Sequence, residues 1–199
     1  MITHDIYKLH KEVNVYDYWI IGDDLQSCDK QVHWIYNNYS WYYILAMYFK
    51  PCKILELGVR FGYSLKSMIL GSIASGTTKE KIYAYGIDND CENLNCINIA
   101  TNTLNKLEIN FNLLNIDLKN IPSLNLQNFD MAHVDARHTP FETYQDLQLV
   151  KNCIKDGGII LIDDARYNNV LPGIKWFCLD NNLDYEFIES CQGIAIIKC

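Results

Sequence analysis

The sequence predicts an α/β fold: a doubly wound, mostly parallel seven-stranded sheet with helices on both faces and an antiparallel terminal strand. Three observations carry this. From residue 53 onward, short apolar runs alternate with helical patterns. The runs are almost continuously apolar, as strands buried on both faces are. The last two stand close enough in sequence to pair as an antiparallel hairpin.

The first fifty residues read differently from the rest. Residues 1–50 form an aromatic, helical extension with Trp19, Trp34, Trp41 and many tyrosines, and 51–199 form the sheet domain. One helix is predicted over about 39–49, stopped by Pro51, because the residue before a proline is driven out of the helical region. Strands follow at 53–57, 82–87, 109–115, 129–134 and 159–162, with helices over 64–75, 91–104 and 141–154. The last of these opens on Thr139-Pro140-Phe141-Glu142, a capping box with proline at the first helical position, and it stops before Gly157-Gly158. A helix over 173–181 then leads to the hairpin strands 185–188 and 194–198.

Bulk properties exclude several classes of function. A chain of 199 residues, 49% hydrophobic and 21% charged, is an ordinary globular domain large enough for a proper core. Its net charge of -7 and its lack of any basic run argue against a nucleic-acid partner, since phosphate binding needs clustered Lys and Arg. The longest apolar run, 41–49, is too short to span a bilayer. The opening MITHDIYKLHKE lacks the basic-then-apolar pattern of a signal peptide. Eight cysteines (28, 52, 91, 96, 153, 178, 191 and 199) are scattered without any CxxC pair. They read as reduced, half-buried residues of a cytoplasmic protein, with no zinc-ligand spacing. The expected partner is a small molecule, with no membrane and no nucleic acid.

Ligands of such sheets bind at the carboxyl ends of the strands. After the first strand the chain reads Glu56-Leu57-Gly58-Val59-Arg60-Phe61-Gly62-Tyr63-Ser64. Two glycines four apart let the backbone turn tightly and approach a ligand. The spacing is not GxGxxG, and no GK[ST] follows, which excludes a P-loop. The second strand ends in Gly86-Ile87-Asp88, and a carboxylate at that place can accept both hydroxyls of a ribose. The third ends in Asn115-Ile116-Asp117, a second acid at the same edge.

ELGVRFGYS, GIDND, NID, FDMAHVDARH and GGIILIDD together resemble class I S-adenosylmethionine (SAM)-dependent O-methyltransferases. The similarity is greatest to the group of macrocin O-methyltransferase and cephalosporin-hydroxylase-like proteins, and more distant to catechol-type enzymes. It covers roughly residues 40–199. It implies a Rossmann-like methyltransferase sheet, SAM as cofactor, and a cofactor site in which Glu56, Gly58 and Gly62 line the methionine part. Ser64 assists at the helix start, Asp88 holds the ribose and Asp117 lies near the adenine. The loop departs from the commoner GxGxG form, though GxxxGxS resembles the catechol-type variant.

Strand four ends in His133-Val134-Asp135-Ala136-Arg137-His138 and strand five in Ile162-Asp163-Asp164. In the methyltransferase sheet these strands are neighbours, so Asp135, Asp163 and Asp164 are expected to converge. Three like charges that close are costly unless a cation neutralises them or their pKa values rise. A hard divalent ion, Mg²⁺ first, suits an all-oxygen set and activates a poorly nucleophilic hydroxyl. His138 stands where the resembling enzymes carry a general base, and an imidazole titrating near neutrality suits that task. The catalytic candidates are therefore His138 and Asp135, and the metal candidates Asp135, Asp163 and Asp164.

The bland alternatives are that the aspartates merely cap turns, that His138 packs beside the helix cap, and that His133 is a satisfied core residue. Arg137 and Arg166 are candidates to anchor an anionic substrate group. The aromatic N-terminal segment is either a lid on the acceptor pocket or core and homodimer surface. The expected activity is metal-assisted O-methylation of a small hydroxylated acceptor, a sugar or secondary metabolite. A non-catalytic SAM- or nucleoside-binding protein is the alternative. An N-methyltransferase is less favoured, because its [DN]-P-P-[FYW] signature is replaced here by Asp135-Ala136-Arg137-His138.

Overall fold

The structure, a computed structural model, describes residues 2–13, 35–89, 95–190 and 192–199. Trp19, Trp34, Asp90, Cys28, Cys91, Cys191 and the start of the helix expected from residue 91 lie outside them.

Seven strands form one sheet: β1 (Lys53–Leu57), β2 (Tyr83–Asp88), β3 (Asn110–Asn115), β4 (Phe129–Val134), β5 (Ile154–Ile162), β6 (Tyr185–Ile188) and β7 (Ile194–Lys198). Their order is β3-β2-β1-β4-β5-β7-β6. The first five are parallel, and β7 runs antiparallel to both β5 and β6. The chain winds outward from β1 through β2 to β3, then returns to β1's other side with β4. The topological switch point therefore lies between β1 and β4.

Side chains alternate across each strand and so build two cores. Ile54, Ala84, Met131 and Leu161 face helices α1 (Ile2–Glu12), α2 (Ile35–Phe49) and α3 (Tyr63–Ala74). Leu55, Ile87, Val134 and Ile160 face α5 (Pro140–Lys151) and α6 (Leu171–Asn181). Helix α4 (Cys96–Asn105) follows β2 and adds Leu104 to the first core.

Local chemistry explains the helix ends. The Thr139 Oγ1 accepts the Glu142 N–H at 3.4 Å and donates to the Glu142 carboxylate at 2.5 Å, with Pro140 opening α5. That helix stops at Lys151 rather than continuing to 154. Ile154 instead pairs with Phe129 at the edge of β4, and the Cys153 carbonyl accepts the Phe129 N–H. Sheet pairing thus takes an apolar residue that helical periodicity alone assigned to α5.

From Trp41 to Ala46, helix α2 is apolar all round, and those residues are all buried. A helix with no polar face belongs to the core. Helix α1, which falls in the expected helical extension though its limits were not predicted, is tied to the sheet's edge. Glu186 of β6 accepts the backbone N–H groups of Ile2 (3.1 Å) and Thr3 (3.0 Å) and the Thr3 hydroxyl (2.8 Å). His10 stacks on Trp41 of α2, with ring centroids 3.8 Å apart. Among the described residues, no helix is long and apolar enough to cross a membrane.

Candidate active site

Gly58 stands at the end of β1 with φ +85°, and a Cβ there would lie 2.0 Å from the Asp135 carbonyl oxygen. Only glycine lets the loops after β1 and β4 touch across the switch point. Gly62 also has positive φ and opens α3. Beside these loops lies a cavity of about 460 Å³, whose walls include Gly58, Arg60, Asp88, Asp117, Asp135 and His138. That volume falls within the range of small-molecule and cofactor sites.

At one end of the cavity, Asp88 Oδ2 accepts the Arg60 backbone N–H at 2.8 Å. Asp117 caps the 3-10 turn Leu118–Leu124 by accepting the Lys119 N–H at 3.0 Å. The Lys119 amide and ammonium hold the Asp117 carboxyl below the usual carboxylate range. The structure thus brings Gly58, Asp88 and Asp117 to one cavity. Glu56, Gly62 and Ser64 lie off its lining.

At the other end, His138 Nε2 is 3.2 Å from Asp135 Oδ1 and 3.4 Å from Asp164 Oδ2. One ligand atom from each of these three residues lies within 4.8 Å of the others. The hydrogen bond to Asp135 raises the pKa of His138. Burial, then the nearby Asp135 charge, pushes the Asp164 carboxyl up to about 6. Asp164 sits at φ +53°, and its Oδ1 is buried without a hydrogen-bond partner.

Asp163 is placed differently from its neighbour. Its Oδ1 accepts the Asn38 Nδ2–H and the Asp164 backbone N–H, each at 2.8 Å. Burial and then Asp135 push its carboxyl up to about 7. Asp163 therefore faces α2, while Asp135, His138 and Asp164 share the rim.

Beneath the rim lies a polar pair inside the core. Glu56 and His133 are register partners on β1 and β4, and neither exposes any surface. His133 Nδ1–H donates to Glu56 Oε1 at 2.7 Å, and the Ser64 hydroxyl donates to the same oxygen at 2.5 Å. Burial pushes the Glu56 carboxyl above its ordinary range, against the pull of His133 and Ser64.

Two arginines are already engaged within the protein. Arg137 Nε donates to both oxygens of the fully buried Asp146 on α5, at 3.0 and 3.2 Å, and Nη2 adds a further contact. Arg166 pairs with Glu189. Sequence reasoning missed Asn38 and Asp146 as partners of site residues. Asn38 sits in an aromatic helix that carries no motif. A buried acid inside α5, nine residues after an arginine, was the available signal for Asp146.

Residues 55–165 match the family model described as a methyltransferase domain. No curated protein matches the sequence. Solved structures are similar in fold. A methyltransferase from Geobacter sulfurreducens has a TM-score of 0.64 at 15% identity, covering 98% of this chain and 87% of its own. The SAH-bound methyltransferase of Podospora anserina has a TM-score of 0.60 at 18% identity, covering 90% and 84%. The O-methyltransferase of Bacillus cereus in complex with SAH has a TM-score of 0.61 at 12% identity, covering 100% and 90%. With the family model matching more than half of its length and its sheet closing around a switch-point cavity, this chain belongs to the methyltransferase-domain family.

Proposed function

We propose that this methyltransferase takes its methyl group from SAM and transfers it to an oxygen of a small hydroxylated acceptor, with help from a divalent cation. The observation that carries the reading is the convergence of Asp135, His138 and Asp164 beside the cavity.

The residues present fit the cofactor. Gly58 walls the cavity with bare backbone, and Glu56, two residues earlier, has a buried Oε2 without a hydrogen-bond partner. Asp88 accepts the ribose hydroxyls, and Asp117 lies toward the adenine. The SAH held by the Podospora and Bacillus neighbours supports this assignment. The residues also fit a hard cation, Mg²⁺ first. Asp135 and Asp164 offer oxygens at the rim, and the buried Asp164 Oδ1 lacks a partner.

When bound, SAM supplies an electrophilic methyl carbon on a sulfonium, and the cation lowers the pKa of the acceptor hydroxyl. His138 takes the hydroxyl proton at Nδ1, the ring nitrogen that Asp135 leaves open, as the new O–C bond forms and the S–C bond breaks. Asp135 orients that imidazole and stabilises its protonated form. The five free cysteines among the described residues support the cytoplasmic setting.

The test is a calorimetric titration with SAM and SAH, with Mg²⁺ and with EDTA, followed by a panel of sugar and phenolic acceptors. Binding of both ligands with cation-dependent methylation supports the reading. Turnover indifferent to EDTA removes the cation from it. Binding without product on any acceptor favours the non-catalytic alternative.

A further inference from the structure

Glu56 has one crowded oxygen and one empty one. Oε1 receives both the His133 Nδ1–H and the Ser64 hydroxyl, whereas Oε2 is buried and has no hydrogen-bond partner. A buried carboxylate oxygen without a donor is costly, and the cost is removed when a ligand brings the missing donor. Glu56, on β1, is not itself on the cavity lining but stands only two residues before Gly58, one of its walls. The chemistry that best satisfies a buried carboxylate is a cationic N–H, through a charge-assisted bond.

His133 is an unusual residue for its place. It lies on an inner strand with no exposed surface, its ring 4.5 Å from that of Tyr42, and its Nε2 is unpartnered. An apolar side chain would pack there without the burial cost of two polar nitrogens. What the imidazole provides is the bond to Glu56, which together with Ser64 fixes the carboxylate by a single oxygen.

We propose that His133 is a positioning residue for the cofactor: by holding Glu56 Oε1 it presents Oε2 to the ammonium of the methionine moiety. This rests on the reading that the cavity takes SAM. The contribution of His133 is thus specific to ligands that carry the ammonium, and the adenosine end is bound independently of it.

The experiment compares two ligands on the full chain by calorimetry. SAH carries the ammonium, and 5′-methylthioadenosine is the corresponding nucleoside thioether without it. In His133→Phe, SAH affinity is expected to fall about tenfold or more, while methylthioadenosine changes by less than about twofold. His133→Asn, which can still donate to Glu56, restores much of the SAH affinity. An equal loss for both ligands would mean a merely structural role and overturns the proposal, as does an unchanged SAH affinity. If the wild-type chain binds SAH no tighter than methylthioadenosine, the ammonium has no partner and the proposal fails while the cofactor reading stands. If it binds neither, both fail. Should His133→Phe not fold, Glu56→Gln with the same two ligands replaces it, and a selective loss of SAH is again the supporting result, an equal loss the opposing one.

Discussion

Asn38, on the second helix, donates from Nδ2 to Asp163 Oδ1 at the end of the fifth strand, 2.8 Å away and 125 residues later in the chain. The bond links the N-terminal part of the chain to the acidic rim. Asn38→Leu removes a donor from a buried carboxyl group, and we expect a loss of about 1–3 kcal/mol in stability. Chemical denaturation of the variant and the wild type measures it. A change within error would show that Asp163 finds another donor.

Asp163 and Asp164 give a pH dependence of definite sign. Their carboxyls titrate at about 7 and about 6 in the folded chain, above the ordinary value of 3.8. Between pH 4 and 7 the folded state therefore binds more protons than the unfolded one, so stability falls as pH rises through that window. Without divalent ions, the melting temperature should be higher at pH 5 than at pH 7.5. Added Mg²⁺ should recover much of the difference at pH 7.5. Flat melting temperatures across the window would contradict the clustering of these carboxyls.

Gly58→Ala would set a Cβ 2.0 Å from the Asp135 carbonyl oxygen in a left-handed backbone. The overlap forces the loops after β1 and β4 apart, at a cost of about 2–4 kcal/mol. SAM binding should be lost along with stability. Thermal unfolding and calorimetry on one sample test both.

Asp88→Ala separates the two ends of the cavity. It should weaken SAM at least about tenfold, because an acceptor for the ribose hydroxyls is lost. Asp135→Ala and Asp164→Ala should instead abolish cation-dependent turnover and leave SAM bound. If Asp88→Ala binds SAM as tightly as the wild type, the ribose assignment fails.

The sheet was legible because each strand is a short apolar run, and sheet position follows from βα alternation. The hairpin strands 185–188 and 194–198 were read at their observed limits. The acids at the strand ends were legible too, since a strand's last residue is fixed once the strand is. What lay beyond sequence reading was orientation. Asp163 and Asp164 are adjacent, yet one turns to Asn38 and the other to His138, because the chain enters a left-handed turn at Asp164. The Glu56–His133 pair depends on the register between β1 and β4, which no single strand encodes. Helix α1 fell within the helical extension expected over residues 1–50, but its limits were not read, because only Ile6 of its apolar stripe is fully buried, with Ile2 and Leu9 partly so.

The tie between Glu186 and the first turn of α1 joins residues 184 positions apart. It can close only after the strand that carries Glu186 has docked at the sheet's edge, and it spans nearly the longest loop the chain can form. In the order of assembly, α1 is therefore a late arrival, and in the reverse direction an early departure. Its amides should exchange with solvent by local opening well before those of β1 and β4, where the central strands open only with the whole molecule. The acidic rim stands at the ends of those central strands, so its opening is expected to follow the whole molecule and not the terminal helix.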